Sequence, residues 1–232
     1  FEKELGISVV MDNDANVAAL SEFRRGAAVG YKRGIVFTLG TGVGSGLFLD
    51  GKLYSGDCSS AEAGHMPINL NGKKCGCSSN GCIETLLGAK HFVAWTRTHV
   101  KKTRSSLRTV KELTPHEIYL AAKNGDKAAL EAWDYYGWVL GRFSAGLVNL
   151  LDLQIIVVGG GISGAFKFFG PALKKAIKEN AMRPLGCHVS VKKARFSNDA
   201  GIYGAFELAR ETESRERILF EYSSLLKRHR KI

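Results

Sequence analysis

The chain has 232 residues, 45% of them hydrophobic and 24% charged, which is the balance of a globular protein with a sizeable core. No apolar run is long enough for a membrane helix, and the charged start at Phe1–Glu4 is unlike a signal peptide, so we expect neither a membrane span nor secretion. The net charge of +11 would suit a polyanion, but much of the excess lies in Lys101–Arg108 and Lys227–Lys231, where charge runs are usually solvated, and we do not expect nucleic acid as a partner.

A strand and a helix are predicted at the start of the chain. Residues 7–11, ISVVM, form an apolar run of strand length, and the polar turn Asp12–Asn16 follows it. Apolar residues then recur at helical spacing up to Phe23, and Gly26 supplies a helix stop. We therefore expect a buried strand at 7–11 and a helix that closes at Gly26.

Three consecutive strands are predicted between residues 34 and 56. Residues 35–39 are β-branched or apolar, and GLFLDGKLY (46–54) places Asp50-Gly51 between two apolar runs, a strong hairpin signal. The pattern indicates antiparallel pairing, with a glycine-rich turn between the first two strands.

Helices dominate the second half of the chain. Thr114, Pro115 and Glu117 form a capping box for a helix that ends at Asn124-Gly125, and Asp126 starts a longer helix that reaches about Leu151. The further predicted elements are an apolar strand within 153–161 that enters a glycine turn, an amphipathic helix at Pro171–Met182, a strand at His188–Phe196, a helix capped by Asp199, and a charged terminal helix to Ile232.

This order of elements predicts an α/β protein with a mixed sheet flanked by helices. It is not the order of a doubly wound dinucleotide fold, because the hairpins come first.

Two glycine-rich turns, LGTGVGSG and VVGGGIS, each follow a predicted strand. Glycine lets the backbone approach a ligand, and exposed backbone N–H groups favour phosphate oxygens, so two such turns raise the case for a nucleotide. Neither turn matches the P-loop, and the G-x-G-x-G segment is not followed by the helix that a Rossmann site requires.

A local cluster of cysteines predicts a metal site. His65, Cys75, Cys77 and Cys82 make a Cys3His set of the kind that holds a structural zinc. Free thiols in a loop are the plain alternative. A disulfide across one residue would be strained, a redox pair would need two intervening residues, and a nucleic-acid knuckle would need a histidine between the cysteines. Cys58 and Cys187 have the pattern of ordinary thiols, and the cysteine usage favours a reduced, cytoplasmic setting.

Carboxylates lie beside this cluster and at the first strand–helix turn. Glu62 and Glu84 flank the cysteine loop, and a metal that fixes the loop would also fix both side chains. Asp12 and Asp14 occupy the turn, a usual place for site residues in open sheets. For Asp14 the alternative is helix capping.

These motifs together resemble the ROK family (repressors, open reading frames, sugar kinases). The resemblance rests on Asn13–Asn16, TLGTGVGSGLFLDGKLYSG, Glu62–His65, CGCSSNGCIE and VVGGGIS, in that order along the chain. It implies the actin-like ATPase fold, also called ribonuclease-H-like, with two lobes.

The resemblance also implies a role for each matching residue. Asp14 would be the general base that takes the proton of a sugar hydroxyl. The sugar would be bound by Asn13, Asp14, Glu62, His65 and Glu84, the phosphates of Mg-ATP by Thr38, Gly40, Thr41 and Gly42, the adenosine by Gly159, Gly160 and Gly161, and a structural zinc by His65, Cys75, Cys77 and Cys82.

The sequence departs from the family pattern at two places. Family chains begin with a strand and an Asp-x-Gly-Gly-Thr phosphate turn far upstream of Asn13–Asn16, and nothing here matches them. We therefore expect residues 1–33 to be a remnant of the first lobe and 34–232 to be the second, with the terminal helix packing back on the first; without that lobe, nucleotide binding would be crippled. The second departure is Ser78, where the family more often has glycine, a change that a surface loop should tolerate.

The implied function is ATP-dependent phosphorylation of a hexose, with glucose as the first expectation and N-acetylmannosamine, N-acetylglucosamine or fructose as alternatives. A different alternative is the sugar-sensing domain of a ROK transcriptional repressor, and a weaker one is a zinc-folded binding module. Asp14 and the phosphate turn favour the kinase, because a sensor needs neither. The resemblance further implies a homodimer or homotetramer.

Overall fold

The computed structural model describes residues 1–56 and 61–213 of the chain. The strands in these ranges are β1 (Gly34–Leu39), β2 (Val43–Leu49), β3 (Lys52–Leu53), β4 (Ile155–Gly159) and β5 (Ser190–Lys193). The helices are α1 (Glu2–Leu5), α2 (Asp14–Arg25), α3 (Glu84–Leu87), α4 (Ala89–Val100), α5 (Pro115–Lys123), α6 (Lys127–Leu151), α7 (Phe166–Asn180), α8 (Leu185–His188) and α9 (200–213, up to the last described residue).

The described strands form one mixed sheet in the order β3-β2-β1-β4-β5. The pairs β1–β2 and β2–β3 are antiparallel, as the Asp50-Gly51 turn predicts, whereas β1–β4 and β4–β5 are parallel. The α/β class and the mixed sheet expected from the sequence are therefore confirmed. Parallel pairing of β1 with β4 brings the turns that follow them to the same edge of the sheet.

Helices cover both faces of the sheet. On one face, α2 packs Leu20 and Phe23 against Val36, Phe48 and Ile155, and the rings of Phe23 and Phe48 stack with centroids 3.9 Å apart. On the other face, α4, α6 and α7 form the larger core with the alternate residues of β1 and β4. All of β4 is buried, which explains its uninterrupted apolar sequence.

The helix caps read from the sequence are present. Thr114 caps α5 by accepting a hydrogen bond from the Glu117 N–H, with Pro115 at the first helical position. Asp126 caps α6 by accepting from the Ala129 N–H at 3.1 Å, and it also accepts hydrogen bonds from Ser105 and Ser106. These contacts join the loop before α5 to the longest helix.

The buried strand predicted at 7–11 is wrong. This segment has no regular structure and lies between α1 and α2, and the Ile7 and Met11 side chains are mostly exposed. An apolar run becomes a strand only when a neighbouring strand pairs with its N–H and C=O groups. None of the described strands pairs with it.

Other boundaries differ from the predictions. Helix α7 begins at Phe166 rather than Pro171, because the 3-10 turn Gly161–Ala165 leads directly into the helix. Pro171 therefore lies inside the helix, where it lacks the N–H that would donate to the carbonyl of residue 167. Strand β5 is only four residues long. Asp199 ends a 3-10 turn that continues into α9. The predicted terminal helix beyond residue 213, and Cys58, lie outside the described residues.

None of the helices in the described ranges has both the length and the apolar character needed to cross a bilayer.

Candidate functional site

A cleft of about 410 Å³ opens where the turns after β1 and β4 meet. Most of the residues predicted to bind sugar or phosphate line it: Asp14, Thr38–Gly44, Glu62, His65, Glu84, Gly160 and Gly161. Asn13 adjoins the cleft through Glu62, whereas Gly159 lines a smaller neighbouring cavity of about 220 Å³. The carboxyl ends of parallel strands are the usual ligand-binding edge of an open α/β sheet.

Asp14 is the first residue of α2, but it does not cap the helix. The cap is Asn13, whose Oδ1 accepts hydrogen bonds from the N–H groups of Ala15 at 2.8 Å and Asn16 at 3.4 Å. The Asp14 carboxylate is exposed on the cleft and accepts only from the Ala15 N–H in the described contacts. Asn13, and not Asp14, is therefore the capping residue, and the Asp14 side chain faces the cleft.

The turn that carries Asp14 is braced by Asp12. Its Oδ1 accepts hydrogen bonds from the Asn13 N–H at 2.7 Å and from Nδ2 of the buried Asn16 at 2.8 Å. The start of α2 is thus held on two sides, which limits the positions open to Asp14.

Glu62 and His65 reach the cleft from a short 3-10 turn, Ala63–His65. Oε1 of Glu62 accepts a hydrogen bond from Nδ2 of Asn13 at 3.3 Å, which links the turn to the start of α2. Because one carboxylate oxygen engages Asn13, the polar wall of the cleft is continuous from α2 to His65.

Glu84 begins α3 and closes the cleft near the glycine turn. Its Oε2 accepts a hydrogen bond from the Val43 N–H at 3.0 Å. A Cβ at Gly42 would lie 2.3 Å from that oxygen, so any larger residue would displace the carboxylate. Glu84 therefore fixes the end of the turn between β1 and β2.

The two glycine turns pack directly on each other. Gly160 has φ of +76°, and a Cβ there would lie 2.4 Å from the Leu39 carbonyl oxygen. Only glycine meets both conditions, because a positive φ and close backbone contact each disfavour a side chain. The contact joins the predicted phosphate turn to the predicted adenosine turn.

The cysteine loop brings four predicted metal ligands together behind the cleft. The ligand atoms of His65, Cys75, Cys77 and Cys82 all lie within 4.8 Å of one another. Nδ1 of His65 lies 3.5 Å from the Cys75 Sγ, and the Sγ atoms of Cys77 and Cys82 are 3.6 Å apart. Thiolates around a tetrahedral zinc, with bonds of about 2.3 Å, would be roughly 3.8 Å apart. The donor set and its spacing fit zinc.

The thiols of this group differ in their ordinary acidity. Burial, with smaller contributions from the neighbouring Cys77 and Cys75, raises the pKa of the Cys82 thiol to about 11. A hydrogen bond with the Ser79 backbone lowers the pKa of Cys77. A zinc ion would bind both as thiolates, since metal binding displaces the thiol protons. Cys187 lies outside the group and is exposed.

The backbone of the cysteine loop shows why glycine would suit the position of Ser78. The residue lies in the exposed loop, as expected, but its φ is +75°, in the left-handed region. The turn is closed by the Ser78 N–H, which donates to the Cys75 carbonyl at 3.1 Å. A serine here stores strain that the sequence alone does not reveal.

We expect Ser78→Gly to stabilise the protein by about 0.5–1 kcal/mol, because glycine adopts positive φ without a steric penalty. The midpoint of urea unfolding, measured with zinc in excess, checks this. Ser79→Gly is the matched control, since Ser79 is not among the positive-φ residues and should gain nothing. Equal shifts in the two variants would contradict the backbone explanation.

An apolar cavity of about 490 Å³ adjoins the cleft and was missed in the sequence. It is lined by Gly40, Ala89, Thr114, Pro115, His116, Tyr119, Trp133, Gly161, Ile162, Gly164 and Ala165. Of the predicted adenosine residues, only Gly161 lines it. The other walls come from the rest of the 3-10 turn Gly161–Ala165 and from α4, α5 and α6, whose approach to the glycine turns depends on tertiary packing. Thr114 and Pro115 carry a signal in the sequence, but that signal is a helix cap.

Comparison with known proteins finds one matching family model and relatives that include a kinase and a repressor. The family model described as ROK family matches residues 1–212. A glucokinase from Halalkalibacterium halodurans is 34% identical over 224 residues, which cover 92% of this chain and 67% of the relative. The DNA-binding transcriptional repressor Mlc from Escherichia coli is 29% identical over 205 residues, covering 88% of this chain and 50% of the repressor.

A solved structure has the same fold. A ROK family glucokinase from Streptomyces griseus, in complex with glucose and AMPPNP, matches 90% of this chain and 70% of its own with a TM-score of 0.81 and 32% identity. The expected actin-like ATPase fold is thereby confirmed. Because the family model extends over residues 1–212, most of its length, this chain belongs to the ROK family.

Proposed function

We propose that this protein is an ATP-dependent hexose kinase that converts glucose to glucose 6-phosphate. The observation that carries the proposal is the single cleft that joins the carboxylate of Asp14, the polar wall of Glu62, His65 and Glu84, and a glycine turn. The ROK relatives include glucokinases, and one of them was solved with glucose and AMPPNP. A sugar kinase needs these three features within reach of one another.

The polar wall is suited to a hexose. Each sugar hydroxyl that leaves water must find a hydrogen-bond partner, or its burial is costly. Asn13, Glu62, His65 and Glu84 offer acceptors and donors along one side of the cleft. The Nδ2 of Asn13 and the Oε1 of Glu62 already meet at 3.3 Å, a spacing that a hydroxyl could join.

The glycine turn is suited to the phosphates of ATP. Thr38, Gly40, Thr41 and Gly42 present backbone and hydroxyl groups on the floor of the cleft, and Gly160 closes it from β4. Without side chains at the glycines, phosphate oxygens can approach the backbone closely. Magnesium would arrive as part of the Mg-ATP substrate.

The adjoining apolar cavity is suited to adenosine. It begins at Gly40 and Gly161, so a nucleotide whose phosphates lie on the glycine turn can place its base there. Ile162 and Tyr119 supply apolar and aromatic walls. The roles assigned to Gly159 and Gly160 are then to shape the turn that leads into this cavity.

Asp14 would act as the general base. The hydroxyl at C6 of the hexose loses its proton to the Asp14 carboxylate as its oxygen attacks the γ-phosphorus, and the bond from that phosphorus to the ADP oxygen breaks. Phosphoryl transfer depends mainly on positioning and charge stabilisation. The hydrogen bond from Asn16 to the Asp12 carboxylate holds the start of α2 and so supports the positioning of Asp14.

A structural zinc would be held by His65, Cys75, Cys77 and Cys82. When bound, it supplies a rigid cross-link that a reduced loop otherwise lacks. His65 turns Nδ1 towards the thiols, which leaves Nε2 available to a sugar hydroxyl. The same ring would then serve the metal and the substrate, and the metal would set its orientation.

There are two alternatives to a glucose kinase: a kinase for another hexose, and a sugar-sensing repressor. Another hexose, such as N-acetylglucosamine, N-acetylmannosamine or fructose, would use the same residues, and N-acetyl-D-glucosamine kinases are among the relatives. The likeness to Mlc is the observation that supports the second alternative, a sugar-sensing repressor. The exposed Asp14 and the glycine turn favour the kinase, since sensing alone requires neither.

We also propose the division into lobes at residue 33. Segment 1–33 would belong to the first lobe and 34–232 to the second, and α2 would lie at their junction because it packs against β1 and β2. A homodimer or homotetramer and a cytoplasmic location complete the proposal. The reduced thiols required by zinc and the use of ATP support that location.

The test is a turnover assay on the purified natural protein with Mg-ATP and a panel of glucose, N-acetylglucosamine, N-acetylmannosamine and fructose. We expect hexose phosphate to form, with the highest kcat/KM for glucose. Calorimetric titration with the same sugars separates the alternatives: tight sugar binding without turnover would identify a sensor. Failure to bind or phosphorylate any of the sugars would overturn the proposed function.

A further inference from the structure

The hydroxyl of Ser45 is buried in the middle of β2 and has two backbone partners. The residue is 3% exposed. Its Oγ donates to the carbonyl oxygen of Ala61 and accepts a hydrogen bond from the Ala63 N–H at 3.0 Å. These two groups lie on either side of Glu62. Ser45 is thus hydrogen-bonded to the backbone immediately before and after Glu62, which lines the cleft.

The segment to which Ser45 is hydrogen-bonded, residues 61–63, is a tight turn with Glu62 at its apex. Glu62 has φ of −72° and ψ of 55°, and the Ala63 N–H donates to the Ala61 carbonyl at 2.7 Å, which defines an inverse γ-turn. Ala61, just before it, has φ of +61°. A residue with a Cβ disfavours that conformation, so it persists only where neighbouring contacts hold it. Ser45 supplies such contacts at both ends of the turn.

The start of β2 also contacts the segments that carry His65 and Glu84, the other residues of the polar wall of the cleft. A Cβ at Gly64 would lie 1.8 Å from the Val43 carbonyl oxygen, so the 3-10 turn packs directly on the strand. The Val43 N–H donates to Oε2 of Glu84. Val43 and Ser45 therefore connect the strand that leaves the glycine turn to Glu62, His65 and Glu84 at once.

We propose that Ser45 is a positioning residue for hexose binding, in that its hydroxyl bridges the ends of the γ-turn that presents Glu62 to the cleft. The inference rests on the proposed function, because it assigns Glu62 to the sugar. Ser45 does not line the cleft. Its effect must therefore pass through the 61–63 backbone, and should fall on hexose affinity more than on the phosphoryl transfer step.

The test compares Ser45→Ala with Ser45→Thr, which keeps the hydroxyl, and with Ser144→Ala. Ser144 is also fully buried, but its Oγ has no hydrogen-bond partner within the described residues, so it controls for the loss of a buried serine. We expect Ser45→Ala to raise the hexose KM by about 5- to 20-fold, with kcat and the KM for ATP within about threefold of wild type. Ser45→Thr and Ser144→Ala should leave the hexose KM near wild type.

Hydrogen–deuterium exchange gives a readout that does not depend on turnover. Removing the Ser45 hydroxyl deprives the Ala63 N–H of one of its two hydrogen-bond acceptors. A peptide covering 61–65 should therefore exchange at least about fivefold faster in Ser45→Ala. Its exchange should be unchanged in Ser144→Ala. A general loss of stability would instead accelerate exchange along the whole sheet.

Opposite results have different meanings. An unchanged hexose KM in Ser45→Ala, in an enzyme that turns over hexose, would overturn this inference and leave the proposed function standing. An equal rise in Ser144→Ala would also overturn it, because the effect would then be structural. If the wild-type protein neither binds nor phosphorylates a hexose, the proposed function fails and this inference fails with it.

Discussion

We expect replacement of Asp14 with asparagine to lower kcat for hexose phosphorylation by about 10²- to 10⁴-fold, the range of a lost general base, and to change the hexose Kd little. Asparagine keeps an oxygen that can accept a hydrogen bond from the sugar but cannot take up a proton. The side chain is exposed on the cleft, and the cap of α2 is made by Asn13, so the substitution should leave the helix intact. Steady-state kinetics and calorimetric titration with glucose measure the two quantities.

Asp50→Asn is the matched control for this variant. Asp50 is exposed in the turn between β2 and β3, where its φ of +50° suits asparagine as well as aspartate. It removes the same charge away from the cleft and should retain wild-type kcat. A kcat near wild type in Asp14→Asn would remove Asp14 from the base role, whatever the hexose affinity.

Metal analysis should find about one zinc per chain, and Cys77→Ser should lose it at a chelator concentration that leaves the wild type loaded. We expect the apparent zinc affinity to fall at least about 10²-fold and the hexose KM to rise at least about tenfold, because His65 loses the partner that orients its ring. Cys77 is exposed, so the substitution creates no core cavity. Colorimetric zinc release and steady-state kinetics give the two values.

Cys187→Ser provides the comparison for the zinc experiment. It also changes an exposed thiol to a hydroxyl, but Cys187 lies outside the four-ligand group. It should keep both the zinc and the hexose KM. A wild-type protein that carries no zinc yet binds hexose fully would contradict the metal site, as would identical behaviour of the two variants.

The local signals in the sequence predicted the elements that depend on near neighbours. The hairpin of β2 and β3 follows from Asp50-Gly51, and the starts of α5 and α6 follow from Thr114 and Asp126, because a cap or a tight turn is satisfied within a few residues. The strand predicted at 7–11 failed for the opposite reason. A strand needs a partner from elsewhere in the chain, and the described sheet provides none for it.

The candidate site shows the same division. Residue types and spacing indicated Cys75, Cys77, Cys82 and His65 as one group, since four zinc-type donors within a short loop are rare by chance, and the group is compact in the structure. The apolar cavity beside the cleft could not be predicted, because its walls come from helices far apart in sequence. Ser45 gave no signal, since a serine within a strand is unremarkable until its hydroxyl partners are known.

Residue type and short spacing were enough to predict the α/β class, the glycine turns, the His and Cys residues proposed to hold a metal, and the acidic residues around them. The three-dimensional arrangement of the chain was needed to show that the turns after β1 and β4 share one cleft with Glu62 and Glu84, that Asn13 rather than Asp14 caps α2, and that Ser78 and Ala61 have positive φ. These features arise from the parallel pairing of β1 with β4 and from backbone contacts between distant segments. Such contacts depend on where the chain returns in space, which residue order along a local stretch does not specify.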